Sequence, residues 1–121
     1  MFRLSARSRS NLFGVHSDLV LIVGRAITIT TIDFAVIEGL RTEERQRELV
    51  AAGASWTLNS RHLTGHAVDL GAWVGGTIRW ELALYDRIAE AMSTAADWLN
   101  VPIIWGGDWK VRDAGHFELP R

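Results

Sequence analysis

The sequence has no cysteine, and only two of its 121 residues are proline. The absence of cysteine excludes disulfides and thiolate ligands, so a metal ion would have to be held by histidine, aspartate or glutamate. Long hydrophobic runs are missing as well. The apolar run at residues 19–23 is too short for the apolar segment of a signal peptide or for a membrane span. We therefore expect a chain that is made in the cytoplasm without a signal peptide and that does not insert into a membrane.

The sequence also lacks an excess of either charge, with 13 basic and 14 acidic residues. The formal net charge is −1, which argues against a general nucleic-acid-binding protein. The first thirty residues carry four arginines against one aspartate, a bias that is typical of a solvated face and also suits an anionic surface. At 121 residues and with no repeat or linker, the chain is predicted to form one domain over residues 1–121. A fraction of 48% hydrophobic residues is typical of a globular protein, and we expect a monomer.

Hydrophobic periodicity and turn residues predict a mixture of helices and strands. Ser17 with Asp18, and later Thr42, are expected to cap helices, and Gly75-Gly76 is expected to form a hairpin turn. Helices and hairpin strands without regular alternation indicate an α+β fold. Helices are predicted at residues 5–13, 19–30, 43–52 and 81–99, and strands at residues 33–38, 66–74, 77–80, 101–105 and 116–119.

One stretch, residues 60–69, reads Ser-Arg-His-Leu-Thr-Gly-His-Ala-Val-Asp and holds two of the four histidines. A catalytic zinc site has three protein ligands and a position for water, and histidine and carboxylate are suitable donors. His62 and Asp69 are separated by six residues that include Gly65, so a bend at the glycine would let both side chains point inward. A third ligand must come from elsewhere, and the strongest candidate is His116.

A second stretch surrounds His116. Asp113 precedes it by three residues, where a carboxylate would lie beside a metal-bound water and act as general base and then as proton donor. Glu118 would share a strand face with His116 and orient that ligand. Tryptophans are expected mainly in the core, but Trp105 and Trp109 flank this stretch and are expected to line a cleft.

The other two histidines are expected outside the metal cluster. His66 lies an odd number of residues from Asp69, so on a strand it would point to the opposite face, as a surface residue or one that supports a ligand. His16 is expected on the surface near a helix start. For an isolated histidine or aspartate, an ion pair or a helix cap is the more common role, and that alternative applies to each candidate ligand.

Taken together, the motifs resemble the paired signature of the VanY-like peptidoglycan peptidases, which form one zinc-peptidase group with the D-Ala-D-Ala dipeptidases and the hedgehog signalling domain. The matching positions are Ser60-x-His62-x-x-Gly65-x-Ala67-x-Asp69 and Asp113-x-x-His116-Phe117-Glu118. Upstream, the residues EGLRT at 38–42, with Gln46, are similar to the Gly-x-Arg-Ser/Thr element of that group. The similarity covers residues 15–120 and is strongest to small single-domain phage and prophage endolysins described as L-alanyl-D-glutamate endopeptidases.

The resemblance implies one Zn²⁺ per chain as the cofactor. His62, Asp69 and His116 would be its ligands. Asp113 would be the catalytic acid and base. Arg41 would polarise the scissile carbonyl or pair with a substrate carboxylate, tasks that suit a planar guanidinium.

Two further residues gain roles from the same resemblance. Ser60 would hydrogen-bond the substrate backbone or a ligand, and Gln46 would fix the segment that carries Arg41. The implied fold is a small hedgehog/D-Ala-D-Ala peptidase-like α+β domain, in which helices flank a central antiparallel sheet.

The implied function is that of a zinc-dependent peptidoglycan hydrolase, an endolysin that cleaves the L-Ala–D-Glu bond of the stem peptide with metal-activated water. Its substrate would be bacterial peptidoglycan, reached after release from the host cytoplasm, with a holin implied only by analogy. No separate wall-binding module is expected.

Three alternatives remain open on the sequence. A D,D-carboxypeptidase acting on terminal D-Ala would use identical zinc chemistry. A non-catalytic zinc-containing binding module would keep the ligands, although it would have no need of Asp113. A non-haem iron oxygenase also uses two histidines and a carboxylate, but it typically has a His-x-Asp/Glu motif and a larger barrel.

Overall fold

Four helices and five strands form the computed structural model, which describes residues 1–121. The helices are α1 (Ala6–Asn11), α2 (Ser17–Ile29), α3 (Glu43–Ala51) and α4 (Leu82–Leu99). The strands are β1 (Phe34–Glu38), β2 (Ala67–Val74), β3 (Thr77–Arg79), β4 (Ile104–Trp105) and β5 (His116–Glu118). Short 3-10 turns lie at Arg61–Thr64 and Gly106–Asp108. None of the helices has both the length and the hydropathy that crossing a membrane requires.

Strand β2 is the centre of one antiparallel sheet. β1 pairs with one edge of β2, while β3 and β5 pair with different halves of the other edge, and β4 extends the sheet beyond β5. Gly75 and Gly76 have φ angles of +63° and +81° and form the predicted hairpin turn between β2 and β3. The sheet therefore brings the chain before residue 40 and the chain after residue 115 to the same strand.

One face of the sheet is covered by α2 and α4. Tyr85 of α4 lies within this core, where its hydroxyl accepts the Ala72 N–H (3.0 Å) and donates to the carbonyl oxygen of Arg79 (2.8 Å). Those two bonds join α4 to β2 and β3. The fully buried apolar side chains include Leu19, Ile22, Val23, Val68, Leu70, Ala72, Ile88 and Met92. Alternate residues of β2 point away from this core, which leaves the opposite face of the sheet for polar chemistry.

All the predicted helices and strands are present, and all but β4 have bounds within two residues of the predicted ones. Two of the differences have local reasons. Helix α2 is capped by His16, whose Nδ1 accepts the Asp18 N–H at 3.1 Å, and not by Ser17 with Asp18. Strand β4 is shorter than predicted, since Pro102 has no N–H to offer a neighbouring strand. Thr42 caps α3 as predicted, accepting the Arg45 N–H.

The prediction that the tryptophans lie mainly in the core is wrong. At least 40% of the surface of Trp56, Trp73, Trp80, Trp98 and Trp109 is exposed. Only Trp105 is more buried, stacking on Phe117 with ring centroids 6.3 Å apart and donating its indole N–H to the Ala114 carbonyl. Aliphatic side chains and alanines fill the space between the helices and the sheet, so the bulky indoles lie outside.

Candidate metal centre

The 3-10 turn at Arg61–Thr64 positions His62. Ser60 caps the turn by accepting the His62 N–H, and Gly65 ends it with a φ of +74°, a left-handed conformation that favours glycine. A side chain at Gly65 would also collide with the backbone carbonyl of Gly14. The bend expected at Gly65 is therefore present, and it turns the chain from His62 directly into β2.

Strand pairing positions the other two candidate ligands. Asp69 of β2 lies directly opposite His116 of β5 in the antiparallel register. Directly paired residues place their side chains on the same face of a sheet. Here it is the face that points away from the α2–α4 core.

The structure brings His62, Asp69 and His116 together. Each offers one ligand atom, and these atoms all lie within 4.8 Å of one another. One carboxylate oxygen of Asp69, Oδ1, lies 3.3 Å from Nε2 of His62 and 3.1 Å from Nδ1 of His116. Two imidazole nitrogens and a carboxylate oxygen thus converge, as a three-ligand metal site requires.

Each imidazole makes a hydrogen bond through the nitrogen that points away from the cluster, and this bond fixes which nitrogen of His62 and of His116 faces the cluster. His62 donates its Nδ1 proton to the carbonyl oxygen of Gly39 at 2.8 Å. In neutral His62 the Nε2 atom therefore carries a lone pair, and it is buried without a hydrogen-bond partner. Glu118 accepts the Nε2 proton of His116 at 2.8 Å. An unpartnered lone pair facing a carboxylate oxygen is the arrangement that a cation between them would satisfy, so these residues fit a metal ion.

The pKa shifts reflect the same crowding. Burial alone would raise the pKa of Asp69, but the adjacent imidazoles of His116 and His62 outweigh it and hold the pKa well below its usual range. Burial alone would lower the pKa of His116, yet the hydrogen bond and charge of Asp69, together with Glu118, raise it. Asp69 and His116 therefore each favour the charged form of the other.

Asp113 lines the cleft in which these three residues lie. Its backbone is fixed: its N–H donates to the Gly106 carbonyl at 2.9 Å, and its carbonyl accepts the His116 N–H at 3.1 Å. Burial and the negative charge of Asp69 raise the pKa of Asp113, against the opposing charges of His116, His62 and Arg41. A carboxylate of raised pKa is a stronger base than an ordinary aspartate, and its side chain makes no hydrogen bond that would keep it from water.

Arg41 is held in place on three sides. Its Nε and Nη2 donate to Glu38, its Nη1 donates to Gln46 at 2.7 Å, and Nη2 lies 3.7 Å from Oδ2 of Asp69. Gln46 is itself buried and donates to the carbonyl oxygen of Thr57. The guanidinium therefore places a fixed positive charge beside the metal cluster.

The surrounding cleft has a volume of about 760 Å³. Ser60 and Glu118 line it, and so does Trp109, whose ring centroid lies 5.0 Å from that of His116. Trp109 therefore lines the cleft as predicted, whereas Trp105 packs behind it on Phe117. His66 lies outside the cluster, as predicted, beside His16 with ring centroids 5.2 Å apart.

Two contributors escaped the sequence analysis. Glu38 anchors the guanidinium of Arg41, and the backbone carbonyl of Gly39 orients His62. Both residues lie in the same stretch as Arg41, and an acidic residue three positions before a functional arginine was the available signal for Glu38. A backbone carbonyl carries no side-chain signal, so the role of Gly39 requires coordinates.

Comparisons with known proteins agree with this geometry. The family described as phage L-alanyl-D-glutamate peptidase matches residues 1–120. The L-alanyl-D-glutamate peptidase of Escherichia phage T5 is 27% identical over 99% of this chain and 90% of its own length. A second L-alanyl-D-glutamate peptidase, from Listeria phage A118, is 35% identical over 64% of this chain and 27% of its own length.

A solved structure is similar over nearly the whole chain. The crystal structure of the Serratia marcescens L-Ala D-Glu endopeptidase ChiX superposes with a TM-score of 0.93 at 48% sequence identity, covering 98% of this chain and 90% of that one. The predicted α+β class and the antiparallel sheet with flanking helices are confirmed by this match. With its family match, its fold and its His-Asp-His cluster in agreement, the chain belongs to the phage L-alanyl-D-glutamate peptidase family and is a peptidase.

Proposed function

We propose that the protein is a zinc-dependent peptidoglycan hydrolase that cleaves the L-Ala–D-Glu bond of the stem peptide. The observation that carries the proposal is the buried, unpartnered Nε2 of His62, which faces Asp69 beside His116 in a chain of this peptidase family. His62 would ligate through Nε2, His116 through Nδ1 and Asp69 through its carboxylate. When bound, zinc supplies the Lewis acidity that makes water a nucleophile near neutral pH.

Asp113 moves the protons in this proposal. It accepts a proton from the attacking water and returns it to the nitrogen that leaves when the peptide bond breaks. Its raised pKa suits both steps, because a base that is too weak would not take the proton. Its position on the cleft wall gives its carboxylate access to the substrate.

Arg41 supplies electrostatic stabilisation. Glu38 and Gln46 hold its guanidinium in one orientation, so its positive charge needs little reorganisation when negative charge develops on the carbonyl oxygen. Glu118 keeps the His116 ring oriented, and Ser60 fixes the turn that carries His62. These four supporting residues act through the groups that contact the substrate or the ion.

Peptidoglycan as substrate fits an open cleft with polar and aromatic lining. We further propose that the domain acts as a monomer after its release from the cytoplasm of the host cell. The relatives in phages T5 and A118 are consistent with a role in lysis.

Digestion of purified cell-wall sacculi tests the proposal. Mass analysis of the fragments should reveal new D-Glu amino termini with the zinc-loaded enzyme, no cleavage after treatment with a chelator, and recovery when zinc is restored. Release of free D-alanine would instead identify a D,D-carboxypeptidase. Cleavage that is unaffected by thorough chelation would contradict the zinc assignment.

A further inference from the structure

A second concave surface lies beside the metal cleft and has no role in the mechanism above. We call it the outer groove, and it has a volume of about 540 Å³. Its apolar and aromatic part is formed by Ile37, Trp73, Ile78 and Trp80, and Arg3 and Arg7 line its rim. The N-terminal residues and α1 form one wall, and β1, β2 and β3 form the floor.

The outer groove and the metal ligand Asp69 share one face of the sheet. Along β2, Asp69, Gly71 and Trp73 alternate with buried core residues and so point to the same side. Four residues of strand place Trp73 roughly 13 Å from Asp69. Ile37 and Ile78 lie over Gly71, where a Cβ atom would be only 2.5 and 2.9 Å from their Cδ1 atoms. A long ligand that passes the metal site can therefore continue along this face into the groove.

The indole of Trp80 is held in a fixed position with much of its surface in solvent. It stacks parallel on Tyr85, with ring centroids 5.9 Å apart, and 67% of the residue is exposed. Tyr85 is buried and anchored by its two hydrogen bonds to the backbone. Trp73 is exposed by 43%. The groove thus offers two accessible indoles, at least one of which is ordered before any ligand arrives.

The charged groups of the groove are mainly positive. Arg3 and Arg7 are exposed, and neither belongs to any of the ion pairs of the chain. The one acidic residue of the lining, Asp33, accepts the backbone N–H of Phe34. Exposed indoles beside unpaired guanidinium groups suit a ligand that combines apolar ring faces with oxygen acceptors or carboxylates.

We propose that the outer groove binds the glycan strand of peptidoglycan while a stem peptide of the same polymer occupies the metal cleft. This inference rests on the proposed function. The hexosamine rings present C–H faces to the indoles, and the arginines bind acetamido oxygens and the carboxylates of neighbouring stem peptides. A lipid surface fits less well because the groove is concave and its wall includes the polar residues Ser5, Ser8 and Asn11.

Comparing two substrates tests the inference. We would measure cleavage of intact sacculi and of a soluble stem peptide without sugars, using W73A, W80A and the double variant R3A/R7A. Trp98→Ala is the matched control, since Trp98 is 69% exposed and contacts Arg25 on α2, away from the groove. Each indole variant should lower cleavage of dilute sacculi about three- to tenfold, with hydrolysis of the soluble peptide unchanged. R3A/R7A should also lower cleavage of dilute sacculi and leave hydrolysis of the soluble peptide unchanged. Because Arg3 and Arg7 are exposed, this variant removes no packed aromatic ring.

A binding measurement provides a readout that does not depend on activity. D113N protein should bind glycan strands stripped of their peptides, and the W73A and R3A/R7A changes should weaken that binding. If the groove variants cleave sacculi as well as the parent does, or lose activity equally on both substrates, the inference is wrong. Binding to vesicles of anionic phospholipid that is lost in these variants, with unchanged cleavage of sacculi, would assign the groove to membranes instead. If the parent enzyme cleaves neither substrate, it is the proposed function that fails.

Discussion

His62 donates its Nδ1 proton to the carbonyl oxygen of Gly39, and this bond directs its Nε2 toward Asp69. The same glycine packs closely against the end of α1 and the loop that follows it, since a Cβ atom there would collide with the carbonyl of Asn11 and would lie 2.6 Å from Cγ2 of Val15. The orientation of a candidate ligand is therefore set by a backbone group that is itself fixed by packing. This supports a preorganised site, in which folding positions the ligands before a metal ion binds.

Removing a candidate ligand should abolish stoichiometric zinc binding. We expect His62→Ala and His116→Ala to lower zinc affinity by more than the roughly hundredfold that loss of an outer-shell partner costs. Elemental analysis after dialysis against buffered zinc would measure the metal content. His66→Ala is the matched control, because His66 lies four residues from His62 but outside the cluster, and it should retain one zinc per chain. Equimolar zinc in both ligand variants would refute the ligand set.

Asp113 should be needed for turnover but not for folding. Asp113→Asn keeps the size of the side chain and removes the base, so cleavage of sacculi should fall about 10²- to 10⁴-fold. Zinc content and melting temperature should remain close to those of the parent, because the backbone bonds of residue 113 do not involve its side chain. Asp108→Asn, an exposed position in the same loop, should cleave normally. Near-normal turnover by Asp113→Asn would overturn the assignment of Asp113 as acid and base.

Two glycines with the same backbone angle allow a controlled test of the turn after His62. Gly65 and Gly53 both have a φ of +74°, but a Cβ atom at Gly53 would meet nothing within 4 Å, whereas one at Gly65 would collide with the Gly14 carbonyl. Gly53→Ala should cost about 1 kcal/mol of unfolding free energy from the left-handed conformation alone. Gly65→Ala should cost clearly more and should also weaken zinc binding. Urea denaturation of the two variants gives the comparison, and equal losses would contradict the close packing of Gly65.

Alkaline pH should destabilise the protein through its single tyrosine. Burial and the charge of Glu81 raise the pKa of Tyr85 above its ordinary value of 10.0. The hydrogen bond from the Ala72 N–H favours the phenolate and opposes this rise only in part. A raised pKa in the folded state means that the stability contributed by the neutral phenol is complete below pH 10 and is lost as the pH rises further. Tyr85→Phe should be less stable at neutral pH by about 1–3 kcal/mol, since it leaves the Ala72 N–H without its acceptor. It should also lose less stability between neutral pH and about pH 11 than the parent does. Thermal melts across this range would measure both effects.

The sequence predicts secondary-structure elements, and the residues that converge in the His-Asp-His cluster, well where the signal is local. The Gly75-Gly76 turn, the Thr42 cap and the amphipathic pattern of α4 each depend on neighbouring residues, and each is present in the structure. His62 and Asp69 share one motif, and His116 was recognisable as the remaining histidine with an acidic residue nearby.

Features that depend on tertiary packing were beyond reach. Burial of the tryptophans was mispredicted because hydrophobicity alone does not reveal that alanines and aliphatic side chains already fill the core. Helix α2 is capped by Nδ1 of His16 and not by the predicted Ser17. Which residue caps the helix depends on the path of the chain after Gly14 and Val15. The hold of Glu38 and Gln46 on Arg41 requires β1 and α3 to be placed in space.

Because Asp69 pairs directly with His116, metal binding depends on the register of β2 against β5. A slip of one residue between β2 and β5 would turn one of these side chains to the opposite face of the sheet, although most backbone hydrogen bonds could re-form. Misaligned chains would then remain metal-free. Zinc stoichiometry would thus report the correctly aligned fraction of a preparation.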